Sequence, residues 1–532
     1  MAEQSQATLK SQFESDDNER RPVLDAAVAC ANLTKPWVLT DSTQKETTDL
    51  PQTYQSLGSR GTTHLVGRML LALYPPGMPW FQFQLAPNIW YDPNVPAEQK
   101  QESARYLFLR ELVVTALLEG SNLEMNRRRR ATFRSRKRMA LDQVIITGDC
   151  LEQLTDDFRL KVFSRRQYVT RRDSEGDVLY HIIWEVKDPL ALTPDQVAGS
   201  GLDMAELQAK PVKDRVVHLY TMVEWQPQTR IWLIRQEVNG KIVVESEEKI
   251  SPFFSTPFEL PPNEHYGRGF VELHKGDLNS FSELREKMLD FAATHSKQLF
   301  ARDYASRVRP KDLEKESGSH IMARVVGGKV DDVGVLAPTN ATSFQVVRAT
   351  TNDIRADLGT AMLMDSETLP EGERVTRAQI ERVAAEIDGA LGGVYAPIAD
   401  DQQLPMLQRA IHLAERQNMI PVLPGAAVEV KLLTGLAALN REMLAAKLGQ
   451  VTQVISTLGE QAAARINVDV FIDALLRYAG IYEPGIIKHP EQMQTELQQQ
   501  ISTQLQQAAG EKAIDTAGNI AEQQAAPPAP AA

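Results

Sequence analysis

Cysteine is scarce. Cys30 and Cys150 are the only two in 532 residues, and they stand far apart with no Cys-x-x-Cys spacing. That excludes a disulfide scaffold and a cysteine-ligated zinc site. Long apolar runs are missing too. The longest are short ones such as Met69–Tyr74, far below the roughly 18–20 residues that span a bilayer. The opening stretch, MAEQSQATLKSQFESDDNERR, has neither an apolar segment nor an arginine-rich presequence, so no secretion or import signal is expected. Positive charge is also short: 58 Lys and Arg face 70 Asp and Glu, a net charge of −12. Proteins that hold nucleic acid tightly neutralise phosphates and are usually basic. The balance argues against a high-affinity DNA binder, and leaves room for a surface that faces DNA without gripping it. The expectation is a soluble protein of a reducing compartment, with no membrane partner.

Signatures of catalysis are missing as well. No Gly-x-x-x-x-Gly-Lys-Ser/Thr loop is present to cradle a triphosphate, and there is no His-Glu-x-x-His or nucleophile elbow. Among nine histidines, His265, His274 and His295 are the closest trio. Their spacing suits surface or capping roles better than a metal site. Asp331-Asp332 and Asp400-Asp401 are adjacent pairs. Sequence neighbours diverge on a helix or strand, so neither makes a general acid/base couple. No enzyme activity, cofactor or metal is expected.

What is present is a long mixed chain. Hydrophobic residues at 42% and charged residues at 24% match a soluble globular composition and exclude global disorder. The first 21 residues read as a helical or frayed polar arm. From Val23 to Arg138 the pattern is helical. Leu65, Met69 and Leu73 recur at four-residue steps before Pro75-Pro76-Gly77 stops the helix. Pro79–Phe83 reads as a short strand or an aromatic anchor, and 97–121 as an amphipathic helix. About 150–255 is β-rich, with strands predicted over Leu160–Val169, Val178–Val186, Val216–Trp225, Arg230–Val238 and Lys241–Glu245. Asn239-Gly240 is a two-residue hairpin signal, and a helical crossover falls near Asp195–Ala209. Helix returns from Gly276, with Asp277 as cap, to about Arg302. It returns again from Thr342 to Leu363, and, kinked by glycines and prolines, from Arg377 to Asn418. Gly435–Leu476 and the Gln-rich 491–507 are helical in propensity. AAPPAPAA at the end is low-complexity.

Two charged features stand out. Arg127–Arg138 (RRRRATFRSRKR) packs Arg127, Arg128, Arg129, Arg130, Arg134, Arg136, Lys137 and Arg138 into twelve residues. Three readings stand side by side: a patch facing phosphates or an acidic partner, a solvated helix face, or subunit-to-subunit ion pairing. The second feature is the loop 364–376 between two helical stretches, where Glu371, Gly372, Glu373, Arg374 and the following Arg377 cluster. Loops of that size with charged tips are often functional.

Four strings in register, over about residues 20–480, resemble the portal, or head-to-tail connector, family of short-tailed podovirus-type phages. They are Tyr54–Gly61 running on to Pro75; Tyr266-Gly267-Arg268-Gly269 with Gly276-Asp277-Leu278; Gly372–Thr376 continuing to Ala390–Tyr395; and Gln403-Leu404-Pro405 with Ile420-Pro421 and Thr434-Gly435-Leu436. The arginine cluster departs from the family pattern. The resemblance implies an α+β, mainly helical portal fold with wing, two-helix stem, clip and helical crown, assembled as a homo-dodecameric ring around a double-stranded DNA channel. Mapped by that likeness, 1–275 is wing, 276–303 a stem helix, 304–341 the clip and 342–363 the second stem helix. Residues 364–376 are the channel loop, 377–440 the kinked wing helix region, 441–507 the crown region and 508–532 a disordered tail.

Arg374 is then the candidate loop tip, with Glu371 and Glu373 moderating it and Gly372 letting it swing. Lys287 and Lys297 on the first stem helix, and Arg348 and Arg355 on the second, are candidates for facing the lumen or, alternatively, neighbouring subunits. The implied partners are the terminase large subunit, tail adaptor and tail tube proteins, the major capsid protein, scaffolding protein and internal core proteins. The implied place is the portal vertex of the virion, after synthesis in the host bacterial cytoplasm. Two other classes compete: a nucleic-acid-processing enzyme with an unfamiliar site, and a non-portal capsid or tail structural protein. Assays for nuclease or ATPase activity discriminate the first, and a twelve-fold open ring the second.

Overall fold

The computed structural model describes residues 8–39, 49–75, 80–85, 110–119, 132–211, 214–296, 341–364, 395–421 and 428–432, most of 299–336, and positions 107, 389 and 450. All but position 450 belong to the unit Met1–Asn440. Helix and strand are mixed throughout. The polar N-terminal stretch is not a free arm. Helix α1 (Leu9–Glu19) is capped by Thr8, whose Oγ1 accepts from Ser11 N at 3.2 Å. Leu9 and Phe13, one turn apart, are buried against Val169, Ile182, Tyr220 and Met222. Asp16 and Glu19 on the same helix bind Arg171. Mean polarity hid this. Two apolar residues at i and i+4 anchor a helix when a sheet awaits them, each contributing about 2 kcal/mol by burial.

Helices α2 (Arg21–Leu33), α3 (Leu57–Leu73) and α4 (Phe133–Thr147) form the centre of the main hydrophobic core. Strand β1 (Phe81–Leu85) lies close by in sequence. Its antiparallel partner is β14 (Val428–Leu432), from the far end of the unit. The chain then builds two antiparallel sheets. One has the order β3-β2-β9, from β2 (Asp149–Leu154), β3 (Leu160–Phe163) and β9 (Phe253–Pro257). The other is a five-stranded meander of β4 (Tyr168–Arg172), β5 (Val178–Lys187), β6 (Val217–Gln226), β7 (Ile231–Val238) and β8 (Lys241–Glu248). Ile182 faces α1 while Ile183 faces the smaller sheet, so β5 is apolar on both faces and its alternation is masked in sequence. Asn239 and Gly240, both at positive φ (53° and 74°), make the tight turn between β7 and β8. The crossover is two short helices, α5 (Pro194–Ser200) and α6 (Met204–Ala209). Each is capped by a side chain, Thr193 and Asp203.

The single strand predicted over Leu160–Val169 is two strands in different sheets. The turn between them is closed by Gln167 N donating to Ser164 O at 2.7 Å. Arg165, 2% exposed, drops into the core and donates to the Thr147 carbonyl. Farther on come α7 (Phe270–Leu273), α8 (Lys275–Ser296), α9 (Ala341–Ala361) and α10 (Tyr395–Arg416), the last with Pro405 inside it. The helix expected to run to Arg302 stops at Ser296. Leu299–Arg302 is instead strand β10, paired antiparallel with β13 (Val333–Leu336), and the short pair β11 (Val325–Val326) and β12 (Lys329–Val330) lies between them. The β-branched and apolar ends of that excursion pair with each other, which a helical continuation cannot offer. Asp277 sits in the first turn of α8 rather than at its cap.

Of the four strings that carry the family resemblance, the third is described only at Tyr395, and the other three, described in larger part, lie at packing junctions. Gln55 Nε2 donates to Leu33 O at 2.8 Å, and its Oε1 accepts from Gly58 N, so one side chain joins the end of α2 to the start of α3. Gly267 and Gly148 meet backbone to backbone: a Cβ added at Gly267 would lie 2.3 Å from the Gly148 oxygen. Tyr266 OH accepts from Thr170 N at 2.9 Å, and the Arg20 and Arg165 guanidiniums lie over its ring. On α10, Gln403 Nε2 donates to Leu73 O at 2.7 Å and Gln402 Oε1 accepts from Tyr74 OH at 3.0 Å.

Candidate nucleic-acid interface

Helices α8 and α9 run as an antiparallel pair of about 33 and 32 Å, at 1.5 Å per residue. One end is rooted in the main core by Leu278, Phe281, Leu358 and Met362. Midway, Thr351 Oγ1 donates to Met288 Sδ at 3.6 Å. Beyond, the Phe291 and Phe344 rings stack at 4.9 Å and 16°, and the β10 pairing closes the arm. Burial falls off along it: Leu289 is 57% and Val346 61% exposed. Single apolar side chains in water are ordinary on a protein surface; what they mark here is that the arm packs less tightly away from its root.

The arm's charge is distributed by helical geometry. Lys287 is exposed. Glu283 stands four residues before it and Asp290 three after, so carboxylates share its stripe. Arg348 and Arg355, both exposed, are seven residues apart and share one face of α9. Their Cα atoms are separated by about 10.5 Å along the axis. Gln345 and Asn352, also exposed, lie near them on that face; Asp353 and Asp357 lie round the other side. Arg285 on α8 is likewise exposed and was missed in the sequence, where no pattern sets it apart from the acidic residues around it. Lys297 falls outside the described residues, as do Glu371, Gly372, Glu373, Arg374 and Arg377.

The root of the 364–376 loop is described, and its anchor was also missed. At the end of α9, Leu363 takes a positive φ of 56°, and Met364 N donates to Gly359 O at 2.8 Å, a left-handed helix terminus. Met362 is fully buried against α3 at Gly61, where an added Cβ would lie 1.9 Å from its Sδ. Next to it, burial and the Arg68 guanidinium hold the His64 imidazole below its usual range, while the Met362 backbone pulls it upward. The signal available in the sequence was Gly61 itself, inside an otherwise regular helix.

The arginine cluster is divided by the fold. Arg127, Arg128, Arg129 and Arg130 lie outside the described residues. Thr132 caps α4, and Arg134 and Arg136 are partly buried while Arg138 is exposed. Lys137 does not belong to any surface patch. Both it and Glu152 are fully buried, their charged ends 2.9 Å apart. Tyr74, Phe254 and Phe133 surround the ammonium at 5.2, 5.6 and 5.8 Å. Burial pushes the lysine down and the glutamate up, and each charge opposes the other's shift. A helix with one inward face must bury whatever stands there. Lys137, flanked by Phe133 and Leu141 at i−4 and i+4, stands on that face.

Of the histidine trio, His265 Nδ1 accepts from Arg172 N at 3.1 Å and the His274 ring packs on Phe270 at 4.7 Å. Among the described residues, no group of three or more His, Cys, Asp or Glu could hold a metal ion. In the same residues no helix is long and apolar enough to cross a membrane.

A rooted two-helix arm with cations on one helix face, set on a mixed helix-and-strand body, is consistent with a connector, and comparison with known proteins identifies the family. Residues 6–487 match the model of the bacteriophage head to tail connecting protein, and the chain belongs to that family of phage head–tail connectors. The portal protein of Escherichia phage T7 is 28% identical over 546 aligned residues, covering 98% of this chain and 96% of that one. The portal protein of Enterobacteria phage T3 is 27% identical, covering 92% and 90%. That of Pseudomonas phage phiKMV is 24% identical, covering 93% and 95%. Among solved structures, the neck of an empty GTA particle computed with C6 symmetry aligns with 74% of this chain and 86% of that one. Its identity is 12% and its TM-score 0.35, a likeness too slight to argue from.

Proposed function

We propose that twelve copies of this chain close into a ring at one capsid vertex and that double-stranded DNA passes through its centre, inward on packaging and outward on ejection. The observation that carries this reading is the near full-length likeness to phage portal proteins. In it, α8 and α9 are the stem, residues 304–341 between them the clip, 1–275 the wing, 377–440 the kinked wing helix region and 441–507 the crown region. The clip receives the terminase large subunit during packaging, and tail adaptor proteins afterwards. Capsid, scaffolding and internal core proteins contact the wing and crown. The motor supplies the ATPase, in keeping with a chain that has no phosphate loop.

Charge supports a conduit. A duplex carries one charge per roughly 1.7 Å of axis, so a wall of net negative charge with a few cationic rings lets it slide. Arg348 and Arg355 supply two such rings, about 10.5 Å apart along α9, each guanidinium able to take a phosphate bidentately. Lys287, with acidic neighbours on its stripe, attracts phosphate less. Arg374 at the loop tip is the valve. Replacing Arg374 by Ala, or Arg348 and Arg355 by Gln, is expected to leave the ring intact and to lower the amount of DNA packaged or retained. Normal packaging and retention in all of these variants would overturn the cationic-ring and valve reading.

A further inference from the structure

The arginines around the exposed ridge of α4 are the strongest charge feature that the channel reading leaves unused. The first two turns of this helix hold Arg134, Arg136, Lys137 and Arg138, and its first turn has no acidic residue. Cations there oppose the positive pole of the helix dipole. The short helices α5 and α6 do the reverse, placing Asp195 and Glu206 in their first turns. Because Lys137 turns inward, Ser135 and Met139 form the outward ridge, with Met139 44% exposed. Arg136 and Arg138 emerge on either side of it, about 100° from Lys137 in each direction. Arg136 leans over the ridge, its Nη1 3.8 Å from Met139 Sδ.

These cations are poorly compensated. Among the described residues, no ion pair joins Arg136 or Arg138 to a carboxylate, and Arg134 has Glu119 as its charged neighbour. Elsewhere Arg171, Arg268, Arg409 and Arg416 each bind two carboxylates. Four more arginines directly precede the helix in sequence. A chain of net charge −12 thus places two guanidinium groups without a carboxylate partner, Arg136 and Arg138, on one ridge beside Arg134 and its single acidic neighbour Glu119. A protein partner would need an apolar anchor at the centre of its contact, and the ridge offers one methionine. A phosphate backbone needs no such anchor and matches the guanidinium fork.

We propose that the α4 ridge, through Arg134, Arg136 and Arg138, is a second DNA-binding surface, distinct from the channel, that takes duplex phosphates without reading sequence. The choice of duplex DNA as ligand rests on the conduit reading. The test uses covalently closed circular DNA, which cannot thread a closed ring, so its binding reports the outside alone. The full-length protein is titrated with relaxed circles at several salt concentrations. Native protein is compared with the Arg134→Gln/Arg136→Gln/Arg138→Gln variant, the milder Arg136→Gln/Arg138→Gln variant and the channel variant Arg348→Gln/Arg355→Gln. Native and channel-variant proteins are expected to bind circles alike. The triple variant should bind about ten-fold more weakly or worse, with the slope of log affinity against log salt reduced by about 2–3. The double variant should fall between, and keeps the test open if the triple variant does not fold. Unchanged binding in the ridge variants overturns the proposal. So does native protein that ignores circles and instead binds poly-glutamate, which would assign the ridge to an acidic polypeptide. Electron microscopy of the same samples reads the ring separately: a missing ring speaks against the conduit, and the ridge is then judged by whether circle binding falls in the ridge variants and not in the channel variant.

Discussion

The residue that departs most from its apparent role is Lys137. In sequence it sits inside a basic run; in the fold it is one half of a buried ion pair ringed by aromatic groups. Breaking such a pair from one side strands a buried charge and costs about 3–5 kcal/mol, while an apolar replacement of both partners is often nearly neutral. Lys137→Met alone is therefore expected to lower the thermal unfolding midpoint, and Lys137→Met with Glu152→Leu to recover most of it. Equal losses in the single and double variants would contradict a coupled pair. A second residue sets the behaviour in acid. His181 is buried, its Nδ1 2.9 Å from Thr170 Oγ1, and burial with the Arg172 charge brings it down to about 3 from 6.5. Its neutral form belongs to the folded state, so protonation favours unfolding. The stability it protects is present above about pH 6.5 and is lost as pH falls towards 3, by about 1.4 kcal/mol per unit. His181→Gln should cost stability at pH 7.5, and that deficit should shrink steadily between pH 6.5 and 4.5. A deficit that does not change with pH would show that His181 does not stay neutral in the fold.

At the scale of elements, the junction of α3 with α9 matters most, because it roots the arm and the loop that leaves it. Gly61→Ala places a methyl where Met362 Sδ stands. The expected cost is about 1–3 kcal/mol from overpacking, recovered in part by adding Met362→Ala. Thermal melts that leave Gly61→Ala unchanged would contradict the tight seat. Elements were legible where local chemistry and tertiary need agreed: the α3 stripe, the Asn239-Gly240 hairpin and the capped helices near 194–209 can all be read from the sequence. They failed where distant partners decided. α1 looked too polar to pack until the aromatic face of the five-stranded sheet received Phe13. The apolar stretch after Ser296 scores as helix or strand alike until Val333–Leu336 is known to lie beside it. Of the candidate site, the common helix face of Arg348 and Arg355 is legible, because a seven-residue interval fixes it. The burial of Lys137 is not, since only packing shows which face turns inward.

For the whole molecule, the account joins three properties: a net charge of −12, a two-helix arm with apolar residues exposed along it, and membership of the phage connector family over residues 6–487. A single copy leaves Leu289 and Val346 in water, and the proposed closed heterologous ring offers neighbouring copies that could cover such groups. The proposed channel, cationic rings and loop valve all depend on that closure. The most direct measurement is the mass and symmetry of the purified full-length protein, by light scattering together with class-averaged electron microscopy. The account predicts a particle of about 710 kDa, twelve times 59.3 kDa, with twelve-fold symmetry and an open axis. A stable monomer or dimer, at concentrations and salt that favour assembly, would leave the channel without walls and contradict it.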